Sequence, residues 1–64
     1  MKNRVKELRR NKQLTQEELA ETLSVTRQTI NAIENNKYNP TLELAMKLAR
    51  VLGTPVDELF TLEG

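Results

Sequence analysis

Residues 23–30 read LSVTRQTI, and the interruption at Ser24-Val25-Thr26 constrains the fold more than any other feature of the sequence. Before it, Leu19, Ala20 and Leu23 recur at helical spacing; after it, Ile30 and Ile33 do the same, with Ala32 beside them. A joint this short forces two helices to meet at a steep angle. One side of the second helix, with Val25, Ile30 and Ile33, then packs on Leu19, Ala20 and Leu23, and the small Ala20 lets the backbones cross closely. The opposite side, Arg27, Gln28, Thr29 and Asn31, is left in solvent.

The rest of the chain supplies a body for this pair. A first helix is expected from about Asn3 to Lys12, with Val5, Leu8 and Leu14 inward. Thr15 is a good N-cap for the second helix, and Glu18, three residues on, completes a capping box. Thr26 caps the third, and Asn35-Asn36 closes it, because Asn tolerates the left-handed conformation that ends helices. Pro40 biases Asn39 toward extended geometry, and Thr41 caps a fourth helix. There Leu42, Leu44, Ala45, Leu48, Ala49, Val51 and Leu52 are apolar over more than half the circumference, which suits the central, most buried element. Gly53 stops it, and Thr54-Pro55 reads as N-cap and first helical residue of a short fifth helix carrying Val56, Leu59 and Phe60. Leu59-Phe60-Thr61-Leu62 also suits an edge strand. The expectation is one all-α domain over residues 1–64, a compact five-helix bundle with short joints.

Composition narrows the chemistry. The sequence has no cysteine and no histidine, so disulfides, thiol catalysis and the commonest metal ligand and general base are missing. Glu17-Glu18 and Asp57-Glu58 are adjacent carboxylates that point different ways on a helix, and placement near helix N-termini explains them better than acid–base or metal chemistry. Neither glycine sits in a phosphate-cradling loop. No enzyme, metal or cofactor is expected. No apolar run approaches a membrane span and no signal-peptide pattern opens the chain, so a cytoplasmic location without membrane contact is expected.

The net charge of +1 conceals an asymmetry: residues 1–39 carry eight Lys/Arg against five Glu, and residues 40–64 carry two against four acidic residues. The basic first half suits a polyanion, although the same charges also suit an ordinary solvated surface. The exposed face of the third helix favours the first account. A helix fits the DNA major groove, where Arg, Gln and Asn pair with base edges and a Thr methyl touches thymine. Gln16 and Thr26, at helix N-termini, are placed for phosphate contacts; Asn35, Asn36 and Lys37 leave the far end of the third helix toward the opposite backbone. Arg10 and Lys12 add long-range attraction.

Taken together, residues 16–37, QEELAETLSVTRQTINAIENNK, resemble the helix-turn-helix of the Cro/C1-type (XRE) regulators, the family of the phage λ and 434 repressors. The likeness is strongest to short stand-alone regulators of the cytolysin-repressor kind. It rests on Gln16, Glu18-Leu19-Ala20, Leu23, Val25, Thr26-Arg27-Gln28-Thr29-Ile30 and Ile33-Glu34-Asn35, with Pro40-Thr41-Leu42 and the Pro55-to-Phe60 ending in register. The helix-turn-helix spans residues 16–35. Ser24 departs from the pattern, which very often has glycine there, and implies mild strain or a slightly different turn.

The resemblance implies a λ-repressor-like domain that binds double-stranded DNA. Arg27, Gln28, Thr29 and Asn31 would read bases, with Gln28 the leading candidate. Gln16, Thr26, Asn35, Asn36 and Lys37 would hold phosphates, and Arg9 with Glu34 would form a partly buried salt bridge. A homodimer through Val56, Leu59, Phe60 and Leu62 is also implied. Leu59 is expected in the core on any account, and Phe60 and Leu62 are the main interface candidates. Tyr38 is either a loop anchor or a phosphate contact. The rival to a homodimeric repressor is an antitoxin or other protein-interaction module that autoregulates its own operon.

Overall fold

The structure, a computed structural model, describes residues 1–62, so the tail Glu63-Gly64 lies outside the described residues. Five helices follow one another: α1 Val5–Asn11, α2 Gln16–Leu23, α3 Arg27–Glu34, α4 Leu42–Leu52 and α5 Val56–Leu59. Two short strands, β1 Lys2–Asn3 and β2 Phe60–Thr61, pair antiparallel, with Lys2 opposite Thr61 and Asn3 opposite Phe60.

The starts of α2, α3 and α4 are set by threonines. Thr15 accepts the Glu18 N–H at 3.0 Å while the Glu18 carboxylate accepts the Thr15 N–H at 2.8 Å, a complete capping box. Thr26 and Thr41 cap α3 and α4 in the simpler way, accepting from the N–H groups of Thr29 and Leu44. The stops share a different device. Gln13, Ser24, Asn36 and Gly53 all adopt positive φ, between 58° and 67°. After α1, α2 and α3 the chain closes with paired backbone bonds: Leu14 N–H to the Arg9 carbonyl, Val25 N–H to Ala20 and Lys37 N–H to Ala32. These satisfy carbonyls that a helix end would otherwise leave open.

Val5, Leu19, Ile30, Ile33, Leu48 and Leu59 are fully buried, and Leu23, Leu44, Leu52 and Phe60 complete the core around them. α2 crosses α3, while α4 touches α1, α2 and α5. α4 is thus the central element, with Leu44, Ala45, Leu48, Ala49 and Leu52 inward. Its apolar girth is not all covered: Leu42 is 72% exposed and Met46 56%.

Three expectations need correction. First, α1 begins at Val5, because Asn3 joins the ladder and its Oδ1 accepts the Val5 N–H at 3.1 Å. Second, Pro55, not Thr54, is the N-cap of α5; its carbonyl accepts from Glu58 and Leu59, and the Thr54 hydroxyl turns back to the Leu52 carbonyl at 3.4 Å. Third, Phe60 lies beyond α5 and in the edge strand that the Leu59-to-Leu62 stretch also suited; the ladder draws it over the core, with only 8% exposed. Phe60 and the fully buried Leu59 thus both belong to the core of the single chain.

On the surface, the Arg4 guanidinium bonds the Glu7 carboxylate at 3.0 Å and holds that carboxyl below its usual range. The contribution is present at neutral pH and fades as pH falls through the depressed value; exposure keeps it small. The strain at Ser24 offers a larger lever. Left-handed geometry penalises a side chain by ~1–2 kcal/mol, partly offset by the greater freedom of glycine in the unfolded chain. Ser24→Gly is expected to stabilise the domain by ~0.5–1 kcal/mol, read as a rise of a few degrees in Tm by calorimetry.

Candidate nucleic-acid interface

α3 has a divided circumference. Ile30 and Ile33 are fully buried, and Glu34 joins them on the inner side. Arg27, Gln28 and Asn31 are exposed and together line one shallow surface cleft. This is the face that the spacing left unpartnered. Thr29 lies elsewhere: it is half-buried, its hydroxyl sits 3.0 Å from that of Thr26, and it borders a second cleft with Tyr38 and Lys47. Thr29 is therefore turned away from the Arg27–Gln28–Asn31 group, and its hydroxyl is engaged within the helix cap.

The start of α3 is electrostatically distinct. α1, α2, α4 and α5 each carry a carboxylate in the first turn, at Glu7, Glu17 and Glu18, Glu43, and Asp57 and Glu58; α3 carries none. An acidic side chain there would favour the helix dipole. Its absence leaves the positive end of the helix uncompensated beside Arg27.

Beneath this face lies a buried ion pair. The Arg9 guanidinium meets the Glu34 carboxylate in a fork, Nε to Oε2 at 2.7 Å and Nη2 to Oε1 at 3.2 Å. Arg9 Nη1 donates to the Leu14 carbonyl at 2.7 Å, and Gln16 Nε2 donates to Glu34 Oε1 at 3.0 Å. The side chains are 9% and 2% exposed. The pair thus ties α1, the α1–α2 joint, the first residue of α2 and the last residue of α3 to one another. It holds Gln16 half-buried, with one amide hydrogen taken and the other open beside the cleft that Gln16 shares with Arg27.

The far end of α3 is held from the N-terminus. Asn3 Nδ2 donates to the Ile33 carbonyl at 2.9 Å and to Asn36 Oδ1 at 3.0 Å. Asn36 keeps its amide nitrogen free of that bond, and Lys37 is exposed. Asn35 is different: its Nδ2 donates back to the Asn31 carbonyl at 2.9 Å and to Asn31 Oδ1 at 3.2 Å. Its donor is turned into the helix, which opposes the expected phosphate contact. Of the dimer candidates, Leu62 is 85% exposed and Val56 half-buried. The roles of Asn3 and of the Asn31–Asn35 pair escaped the sequence reading, although the four-residue spacing of the two asparagines was a visible signal.

Residues 5–59 match the family model for the helix-turn-helix. The chain belongs to the Cro/C1-type helix-turn-helix family. An uncharacterized HTH-type transcriptional regulator of Methanocaldococcus jannaschii is 49% identical over 63 residues, covering 98% of this chain and 96% of that protein. An uncharacterized HTH-type transcriptional regulator of Bacillus subtilis, YgzD, is 48% identical with the same coverage. The cryptic phage CTXphi transcriptional repressor RstR of Vibrio cholerae is 37% identical over 57 residues, which span 51% of its length. No described helix of this chain is long and apolar enough to cross a membrane.

The buried pair makes a sharp stability prediction. Glu34→Ala strands the Arg9 charge and should cost ~3–5 kcal/mol, comparable with the whole stability expected of a domain this size at ~0.05–0.15 kcal/mol per residue. Replacing both partners, Arg9→Met with Glu34→Leu, should recover most of that loss. Urea unfolding midpoints of the single and double variants check both.

Proposed function

We propose that this protein is a sequence-specific DNA-binding transcription regulator, acting in the cytoplasm as a homodimeric repressor on a near-palindromic operator. The observation that carries the reading is the joint exposure of Arg27, Gln28 and Asn31 on a helix whose opposite side is locked into the core. In this reading α3 enters the major groove, where Arg pairs with guanine and Gln or Asn with adenine. Gln16, Asn36 and Lys37 grip the flanking phosphates. The carboxylate-free start of α3 supports the approach, since a carboxylate there would repel a phosphate backbone. Two copies place their α3 helices in successive grooves, roughly 34 Å apart. Of Val56, Leu59, Phe60 and Leu62, the exposed Leu62 and the half-buried Val56 are the most accessible for the contact between copies.

Selection of bound sequences from a random DNA pool at fixed salt tests the reading directly, and a two-fold symmetric site is the expected result. Gln28→Ala should weaken the best site by ~1–3 kcal/mol and relax one base pair per half-site. Lys37→Ala should instead weaken all sequences alike and make the log–log salt dependence shallower by about one unit. An unchanged operator preference in Gln28→Ala would remove that residue from the base-reading set. The rival reading, a protein-binding module that autoregulates its operon, draws support from exposed Leu42 and Met46 on α4. A stable complex with the product of a neighbouring gene, lost in Met46→Lys, would favour it.

A further inference from the structure

We propose that Asn35 is a positioning residue that fixes the carboxamide of Asn31, so that α3 offers an adenine edge an oriented donor and acceptor. The proposal rests on the base-reading role of Asn31 and adds which base it reads and what holds it ready.

A single backbone carbonyl determines the geometry. Asn35 Nδ2 lies 2.9 Å from the Asn31 carbonyl oxygen, which only accepts, so the amide end of Asn35 that faces it is the NH2. That same nitrogen lies 3.2 Å from the Asn31 side chain, so the Asn31 atom facing it is Oδ1. The two ends of an Asn amide are otherwise assigned only from their hydrogen bonds, and here the backbone resolves both residues in turn. Neither residue is buried, so the bond is not needed to satisfy a polar group shut away from water.

The Asn31 carboxamide therefore has one oxygen lone pair occupied. The other lone pair and both Nδ2 hydrogens remain for a ligand, and Asn31 lines one surface cleft with Arg27 and Gln28. In the major groove, adenine presents an acceptor at N7 beside a donor at N6, the complement of that pair. A free Asn would have to be ordered when DNA binds, whereas this one is ordered when the protein folds.

The experiment uses the intact chain and four proteins: wild type, Asn31→Ala, Asn35→Ala and the double variant, each checked for an unchanged thermal transition. Sites selected from a random DNA pool are followed by Kd measurements at one salt concentration on the best site and on sites altered at each base pair. Wild type is expected to prefer adenine at one position per half-site, and Asn31→Ala to abolish that preference. Freeing one side chain is worth ~0.5–1.5 kcal/mol, so Asn35→Ala should reduce the same preference roughly 2- to 10-fold. It should add nothing in the Asn31→Ala background, because its effect passes through Asn31. A uniform loss of affinity in Asn35→Ala with the adenine preference intact overturns the proposal and makes Asn35 a phosphate contact. A position that depends on Asn31 but prefers another base overturns it too. If no position responds to Asn31→Ala, the base-reading role of Asn31 fails, and with it this proposal; selection of a defined site by wild type would still leave DNA reading in place.

Discussion

A buried charge pair holds the helices of this small domain in relation to one another. Arg9 and Glu34 lie far apart in sequence, and their meeting sets α1 against α3. The remaining hydrogen-bonding capacity of the pair is used on Leu14 and Gln16, which brings the α1–α2 joint and the start of α2 to the same point. Desolvating two charges is costly, and a well-packed apolar substitute is often as stable. What the fork adds is direction. Hydrophobic contact among Leu19, Ile30, Ile33 and Leu48 tolerates small rotations of one helix on another; a two-pronged guanidinium–carboxylate contact does not.

The consequence is felt on the opposite side of α3. A helix of two turns has little stability of its own, and its place depends on tertiary contacts. Here Ile30, Ile33 and Glu34 fix the inner side, Thr26 fixes the start, and Asn36 fixes the end with help from Asn3. Arg27 and Gln28 have no part in holding the fold together.

The central part of this architecture was legible in the sequence. The threonine caps, the apolar spacing and the short Ser24-Val25-Thr26 joint predict α2, α3 and α4 from local rules, and the structure has each of them. The sequence-based reading failed where a contact depended on the two ends of the chain meeting. A two-residue strand carries no usable periodicity, so Asn3 read as the start of a helix. The same ladder settles Phe60, for which the sequence left a fifth helix and an edge strand both open: it enters the strand and turns over the core. Leu42 shows the limit of counting apolar residues on a wheel: α4 has more of them than its neighbours cover. The exposed face of α3 was foreseen, whereas the inward bond of Asn35 and the half-burial of Thr29 depend on side-chain rotamers that spacing does not specify.

The backbone-closed joints after α1, α2 and α3 carry one more implication. Because main-chain hydrogen bonds set these turns, and Thr26 and Asn36 frame α3 from outside its exposed surface, Arg27 and Gln28 can be exchanged without disturbing the scaffold that carries them. Such a fold behaves like a socket with a replaceable bit. New binding preferences can arise by drift at a few surface positions while the underlying body stays unaltered, with Asn31 and Asn35 changing as a couple rather than singly.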